Sequence, residues 1–405
     1  MNEAAVRLRS SRALARETAT PSCSDLVAKI PSFFLDFCKP GMRAKLSLEL
    51  GGFSLRILAR QILLIVSAWA GVYSFFGPAS AATNVQLAVP LFSHHMVLQA
   101  GAGIPLWGTA APNESIIVQL IPMPDAPGVP GCLPSAGCVS QTIVDITADS
   151  AGNWQADLNP TAGRSGPYSL VVSGHDPATG SNSQDIKTDV MVGEVWVCSG
   201  QSNMKLGGVR RRDAALYSGV VQPSGASHPS IRWQKSRTLG WQQAGRPAAA
   251  CFWFAADLSD RLLQAQDPAL PLLDRLRSST VGVINKAVGG TEIQLWFAPI
   301  FQSDPDPVVA SCIAAEASNI TPSRDYNRLV APLLPPGGVA PFRGVIWWQG
   351  ERQLKSPLCY MHYLPALIRS WRIDWGGSDL PFAFVQLPAG YGLTLQYNDK
   401  FQETI

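Results

Sequence analysis

Four strongly β-prone runs alternate with helical segments in the second half of this chain, and that alternation constrains its fold more than any other feature. The runs are rich in β-branched and aromatic residues and lie at 192–198, 281–284, 344–348 and 382–387. Helical periodicity occurs between them, at 255–266 and at 363–371. Strands that alternate with helices indicate a parallel sheet flanked by helices. We therefore predict an α/β domain over residues 190–405.

Three of those strands run directly into polar loops that contain glycine. The loops cover residues 199–204, 289–291 and 349–351. In a parallel α/β sheet, ligands bind in the crevice outside the carboxyl ends of the strands. We therefore expect the three loops to converge on one crevice.

These loops contain the groups that acyl transfer requires. Ser202 lies just past a strand end, where it can act as a nucleophile while its own backbone N–H points at the carbonyl oxygen of the substrate. Gly290 offers a second N–H with no side chain in the way, and Gln349 offers a side-chain amide. A single serine or glycine pair in a turn is most often structural. Taken together, the three residues predict an oxyanion hole formed by Ser202, Gly290 and Gln349.

Residues 83–189 have a different character. Short β-rich runs at 116–120, 141–146 and 168–172 are separated by clusters of Pro, Gly, Asn and Asp. This spacing is typical of a small antiparallel β-sandwich. We therefore predict that a β-sandwich domain precedes the α/β domain.

Residues 1–82 have the features of an export leader. Arg56 and Arg60 precede an apolar run at 62–72, and small residues follow at 79–82. A basic region, an apolar region and an Ala-x-Ala site in this order are typical of a secretory signal, and the apolar run is short for a membrane span. We expect a secreted or periplasmic protein with no stable membrane insertion after leader cleavage. An uncleaved membrane anchor is the alternative.

Export favours disulfide bonds. Of the eight cysteines, Cys23 and Cys38 fall in the predicted leader. Cys132 and Cys138 flank a loop rich in Gly, Pro and Ser and could close it, whereas Cys198 is interpreted as a small buried residue rather than a reactive thiol. Neither the cysteines nor the five histidines have the spacing of a metal site, so no metal or other cofactor is predicted.

The charge of the chain argues against a nucleic-acid partner. Only 15% of the residues are charged, the net charge is +3, and the one dense basic run, 210–212, has no aromatic residues beside it. Nucleic-acid-binding proteins concentrate basic residues on one face. We therefore interpret residues 210–212 as a solvated loop.

Three motifs carry a resemblance to a known family. They are Gly-Gln-Ser-Asn-Met at 200–204, Gly-Gly-Thr-Glu-Ile at 289–293 with Trp296, and Trp-Gln-Gly-Glu at 348–351. In these motifs the chain resembles the sialate O-acetylesterases, which belong to the SGNH hydrolases and are similar to certain acetyl xylan esterases. The resemblance extends over about residues 85–405.

The resemblance implies a fold, a reaction and roles for single residues. An SGNH-type sheet would carry Ser202 as the nucleophile, and Gly290 and Gln349 would complete the oxyanion hole. The implied reaction is hydrolysis of O-acetyl esters on sugars such as sialic acid, through an acetyl-enzyme and without a cofactor. Glu351 is expected to orient Gln349. Three side chains in all are expected to support the reacting groups: Gln201, Asn203 and Glu351.

The chain departs from the family pattern at two places. Family members are expected to carry a catalytic His, with an Asp three residues before it, after the last strand, but no His follows His362 here. A serine at its free pKa is a poor nucleophile and needs a base. We expect that the sequence is truncated and that no catalytic Asp–His pair lies in this chain, since His362 matches no family position. The second departure, Arg352-Gln353, is expected at the crevice rim, where it bears on which sugar is bound.

Two other functions remain open on the sequence alone. The same chemistry could act on acetylated plant polysaccharide instead of a sialic acid. Alternatively, a catalytically inactive protein could bind an acetylated carbohydrate without turning it over, because the activating His is missing. An O-acetylated carbohydrate is the predicted ligand in each case.

Overall fold

The computed structural model describes residues 84–387, and all statements below concern this part of the chain. Within it, the residues left out are 102, 126–130, 133–137, 160–162, 207–227, 236–239, 244–246, 317–319, 338 and 378. The predicted leader lies outside the described residues. The described residues belong to one compact unit, Ser80–Ile405. None of the helices described here has the length and apolar character needed to cross a membrane.

The described residues form strands β1–β12 and helices α1–α5. The strands are β1 (Gln86–Leu87), β2 (Val97–Gln99), β3 (Ile104–Thr109), β4 (Ser115–Pro122), β5 (Gln141–Thr147), β6 (Asn153–Leu158), β7 (Ser165–His175), β8 (Asn182–Gly200), β9 (Ile231–Lys235), β10 (Val281–Asn285), β11 (Gly344–Trp348) and β12 (Phe382–Phe384). The helices are α1 (Ser202–Lys205), α2 (Ala249–Gln264), α3 (Leu272–Ser278), α4 (Pro307–Ala315) and α5 (Pro357–Asp374). Short 3₁₀ turns include Ile293–Trp296 and Glu351–Gln353.

Strand β8 belongs to two differently built parts of one large mixed sheet. Its first part pairs antiparallel with β7, which continues to β4 and β5. Its second part pairs in parallel with β10 on one side and with β11 on the other. Strand β9 lies beyond β10 and β12 lies beyond β11, again in parallel. The predicted boundary between residues 189 and 190 therefore falls inside one continuous strand.

The parallel part of the large sheet has the predicted arrangement, in which helices pack against parallel strands. All five residues of β10 are buried, as expected for a central strand covered on both faces. Helix α2 packs on one face through buried residues that include Phe252, Ala255 and Ala256. Helix α5 extends beyond both ends of the predicted helix at 363–371. It begins at Pro357, a position in the first turn where the fixed φ of proline is tolerated.

The N-terminal β region contains a second, three-stranded antiparallel sheet of β1, β3 and β6. Its inward side chains alternate with exposed ones along β6, where Trp154, Ala156 and Leu158 are buried. They share a hydrophobic core with buried residues of the large sheet such as Val118 and Leu120. Burial of one face of each strand explains the period-two pattern of the sequence.

Three disulfide bonds connect the described cysteines: Cys132–Cys138, Cys198–Cys251 and Cys312–Cys359. The first closes the loop that the sequence singled out. Cys198 is fully buried, as predicted, and it is not a free thiol, because it is bonded to Cys251 of α2. The third bond joins α4 to α5.

Candidate active site

Three loops meet at the carboxyl ends of β8, β10 and β11. We name them the serine loop (200–204), the glycine loop (288–294) and the glutamine loop (348–353). The N–H of Gln201 donates a hydrogen bond of 2.9 Å to the carbonyl oxygen of Trp348, and the N–H of Val288 donates one of 3.0 Å to that of Gly200. The expected convergence of the three loops is confirmed.

The serine loop turns sharply where β8 ends. Gly200 has a φ of +128°, and a Cβ atom there would lie 2.1 Å from the carbonyl oxygen of Trp348. Only glycine combines this conformation with such a close approach. The turn leaves the side chain of Ser202, the first residue of α1, exposed, whereas Met204 is fully buried. The short helix is therefore anchored by Met204, while the side chain of Ser202 remains accessible.

The glycine loop approaches the serine loop closely. A Cβ atom on Gly289 would lie 3.7 Å from the Cβ of Ser202, so the absence of a side chain leaves room beside the serine. Gly290 has a φ of +72° and borders open space. Among the described residues, none accepts a hydrogen bond from the backbone N–H of Ser202 or of Gly290. Both N–H groups are thus free to donate to a ligand.

Gln349 lies beside the glycine loop but is fully engaged there. Its side chain is 2% exposed, and its amide nitrogen donates one hydrogen bond to the carbonyl oxygen of Thr291, at 3.1 Å, and another to the side-chain oxygen of Gln353. A glutamine amide has only two N–H hydrogens. In this structure Gln349 therefore holds the glycine loop in place, and neither of its donors is directed at a ligand.

The three expected supporting residues link the serine loop to the glutamine loop. The side-chain oxygen of Gln201 accepts a hydrogen bond of 3.3 Å from the backbone N–H of Arg352. The amide of Asn203 donates to one carboxylate oxygen of Glu351, and the other oxygen is buried and has no partner among the described residues. Glu351 thus contacts the serine loop, whereas the orientation of Gln349 is set by other groups.

Arg352 and Gln353 occupy different environments. The side chain of Arg352 is 57% exposed and donates a hydrogen bond of 2.7 Å to the carboxylate of Glu292. Arg352 therefore lies at the crevice rim, as predicted. Gln353 is only 3% exposed, so its predicted place at the rim is wrong. The 3₁₀ turn over Glu351–Gln353 points its neighbouring side chains in different directions.

All five histidines make their hydrogen bonds away from the three loops. Their partners are Thr188 for His94, Asp189 for His95, Asn182 for His175, Ser230 for His228 and Asp306 for His362. His362 lies 2.6 Å from Asp306, and this hydrogen bond lowers the pKa of the Asp306 carboxyl. Burial lowers the pKa of His228 to about 4, so this imidazole is neutral at pH 7. Among the described residues, no cluster of three or more His, Cys, Asp or Glu side chains could hold a metal ion.

The chain is similar in sequence or structure to several known acetylesterases. Sialate O-acetylesterase of Homo sapiens is 26% identical over 328 residues, covering 73% of this chain and 56% of the relative. The Mus musculus protein of the same name is 23% identical over 352 residues, covering 73% of this chain and 58% of the relative. A crystal structure of a carbohydrate acetylesterase from Xanthomonas citri superimposes with a TM-score of 0.55 and 25% identity, covering 79% of this chain and 65% of that one.

The chain therefore spans a little over half the length of the curated relatives that it matches. Residues 192–405 match the family described as carbohydrate esterase, sialic acid-specific acetylesterase. This match includes the serine, glycine and glutamine loops, and it confirms the resemblance that the three motifs indicated. This chain belongs to the sialic acid-specific acetylesterase family of carbohydrate esterases.

Proposed function

We propose that this protein hydrolyses O-acetyl esters of sugars, as a sialate O-acetylesterase-like enzyme with Ser202 as its nucleophile. The observation that carries the proposal is the arrangement around Ser202. Its side chain is exposed at the end of β8, Gly289 leaves room beside it, and the N–H groups of Ser202 and Gly290 are without acceptors among the described residues. The names of the relatives support acetyl transfer and a carbohydrate ligand.

In the proposed reaction, the Oγ atom of Ser202 attacks the carbonyl carbon of the acetyl group. The carbonyl oxygen becomes an oxyanion, which the N–H groups of Ser202 and Gly290 stabilise. The C–O bond to the sugar then breaks, the sugar oxygen leaves with a proton, and an acetyl-serine remains. Water attacks the acetyl-serine, which releases acetate and restores the Ser202 hydroxyl.

Proton transfer in this reaction requires a general base. The base takes the hydroxyl proton of Ser202 and passes it to the leaving sugar oxygen. The family resemblance assigns this role to a His. Each of the five His residues of the sequence is hydrogen-bonded outside the three loops, so none is assigned as the base.

Gln349 is proposed as the third group of the oxyanion hole. To donate to the oxyanion, its amide must give up its hydrogen bond to Thr291 or to Gln353. One oxyanion-hole donor contributes about 3 kcal/mol of transition-state stabilisation. Leaving a buried acceptor without its donor costs about 1–3 kcal/mol, which the bond to the oxyanion offsets.

The organisation of the whole chain is also part of the proposal. We assign residues 190–405 to an SGNH-type esterase domain and residues 83–189 to a β-sandwich-like domain. The second assignment is supported by the three-stranded antiparallel sheet, which shares a core with the antiparallel part of the large mixed sheet. An export leader at 1–82 would direct the protein out of the cytoplasm, to the periplasm or the medium, where its disulfide bonds are stable.

One observation favours a second candidate, a protein that binds acetylated carbohydrate without hydrolysing it. All five His residues are engaged away from Ser202. The two candidates differ in turnover, which kinetics measures directly.

The test of the proposal is hydrolysis of a chromogenic acetyl ester by the full-length protein and its Ser202→Ala variant. We expect the substitution to lower kcat at least about 1,000-fold, because removal of a serine nucleophile has effects of this size or larger. Ser199→Ala is the matched control, since Ser199 is fully buried three residues away and its hydroxyl has no partner among the described residues. Equal activity of the Ser202→Ala variant and the parent would contradict the assignment.

A further inference from the structure

A line of buried amide side chains leads from the glutamine loop into the core behind it. Gln349, Gln353 and Gln294 are 2%, 3% and 1% exposed, respectively, and the line ends at Glu316. Gln294 lies in the 3₁₀ turn of the glycine loop, and Glu316 caps the carboxyl end of α4. Buried amides are costly unless hydrogen-bonded, so their partners define how they are oriented.

The hydrogen bonds along this line all run in one direction. The amide nitrogen of Gln349 donates to the side-chain oxygen of Gln353. The amide nitrogen of Gln353 donates to the oxygen of Gln294, at 3.0 Å. The amide nitrogen of Gln294 donates to the Oε2 atom of Glu316, which also accepts a hydrogen bond of 3.2 Å from the hydroxyl of Tyr363. Each amide therefore turns its nitrogen toward Glu316.

The carboxylate is the member of the line that sets this direction. A glutamine amide has a donor end and an acceptor end of nearly equal size, so a line of glutamines alone could run either way. An ionised carboxylate can only accept. Burial, followed by the charge of Glu316, raises the pKa of Tyr363, so the tyrosine remains an O–H donor toward the carboxylate.

The direction of the line matters at its other end. The nitrogen of Gln349 that donates to Gln353 also donates to the carbonyl oxygen of Thr291. If the amide of Gln349 turned round, its oxygen would face the oxygens of Thr291 and Gln353, and both hydrogen bonds would be lost. Thr291 follows Gly290 directly, so this bond anchors the glycine loop at the residue after the one that carries the free N–H.

We infer that Glu316 is a positioning residue for the active site, which acts through Gln294 and Gln353 to hold Gln349 on the glycine loop. The inference rests on the oxyanion hole proposed above. Gln353 belongs to the pair at which this chain departs from the family motif, so the line is not a consequence of the three motifs. Glu316 also lines a cavity of about 190 Å³ together with the basic residues Arg352 and Lys355.

The test is the Glu316→Gln variant of the full-length protein, assayed on an acetyl ester. The substitution keeps the size of the side chain but adds a donor, so the line no longer has a fixed direction. We expect kcat to fall about tenfold while KM changes less than about twofold, because an oxyanion hole acts on the transition state. Glu114→Gln is the control, since Glu114 is a buried carboxylate of the N-terminal β region that accepts from the N–H of Ala111 and the hydroxyl of Ser183, far along the chain from the three loops.

A second variant tests whether the direction of the hydrogen bonds along the line, and not side-chain packing alone, determines kcat. In the double variant Glu316→Gln with Gln294→Glu, the carboxylate moves one step along the line and again accepts from Gln353. We expect kcat to return to within about threefold of the parent, which a loss of stability alone would not allow. The double variant also tests the inference if Glu316→Gln alone fails to fold.

The outcomes distinguish the inference from the function on which it rests. Parent activity that depends on Ser202, together with an unchanged kcat in a folded Glu316→Gln variant, overturns the role of Glu316 alone. A folded double variant as slow as Glu316→Gln also overturns it. Activity that is independent of Ser202 contradicts the proposed function, and the inference with it.

Discussion

The serine loop and the glutamine loop lie side by side but are built in opposite ways. The serine loop presents an exposed hydroxyl and a backbone N–H that has no acceptor among the described residues. The glutamine loop buries Gln349 and uses both of its amide hydrogens internally. The difference teaches that the serine loop presents donors that are already free, whereas the glutamine loop must give up an internal hydrogen bond before Gln349 can donate to a ligand.

The two loops are also anchored to different parts of the fold. Cys198, which lies on β8 just before Ser199 and the serine loop, is bonded to Cys251 of α2. The backbone oxygen of Gln349 accepts a hydrogen bond of 2.8 Å from the hydroxyl of Tyr360 on α5. Tyr360 follows Cys359, which is bonded to Cys312 of α4. Each side of the crevice therefore has its own disulfide-linked support.

The largest effect is expected from Gly200→Ala, which disrupts the close backbone contact between the serine loop and the glutamine loop. The new Cβ atom would lie 2.1 Å from the carbonyl oxygen of Trp348, at a φ of +128°. We expect a loss of about 4 kcal/mol in the free energy of unfolding, measured by urea denaturation. Gly180→Ala is the control, since Gly180 has a φ of +70° and open space around it, and should cost about 1 kcal/mol. Equal losses would show that the close approach of the loops is unimportant.

An intermediate effect is expected from Gly290→Ala, which alters a free backbone N–H of the glycine loop and leaves the glutamine loop unchanged. No atom lies within 4 Å of the new Cβ, so the change strains the backbone at φ +72° without a clash. We expect a loss of about 1 kcal/mol in stability and a fall of about tenfold in kcat, because the N–H of residue 290 is displaced. Gly337→Ala has a similar φ of +64° and open surroundings and should leave kcat unchanged. Equal kcat values in the Gly290→Ala and Gly337→Ala variants would show that Gly290 is not part of the oxyanion hole.

The smallest effect is expected from Arg352→Ala, at the rim where the glutamine loop contacts the glycine loop. The ion pair of Arg352 with Glu292 is exposed, and such pairs contribute less than about 1 kcal/mol. We expect a change in unfolding free energy below that value, which decreases further at high salt. Salt titration of the midpoint of urea denaturation is the measurement. A loss of several kcal/mol would mean that the rim pair supports the site as the buried amides do.

The sequence was sufficient to predict the parts of the site that depend on topology. The three motifs stand at strand ends, and the rule for parallel sheets brings such ends together, as the bond from Gln201 to Trp348 confirms. What the sequence could not show depends on side-chain contacts between distant residues. Gln353 donates a hydrogen bond to Gln294, which lies 59 positions away in the sequence. Because Gln353 adjoins the charged Arg352, the sequence suggested that both residues of this pair are exposed. The pairing of Cys198 with Cys251 likewise has no signal in their spacing.

The most direct test of the central claim is covalent labelling of Ser202. A fluorophosphonate mimics the tetrahedral intermediate of ester hydrolysis and reacts with a serine nucleophile beside an oxyanion hole. After incubation of the full-length protein, peptide mass spectrometry should locate the adduct on Ser202, with Ser199 unmodified and no adduct in the Ser202→Ala variant. An adduct on another residue, or release of acetate from an ester by a protein whose Ser202 does not react, would contradict the account.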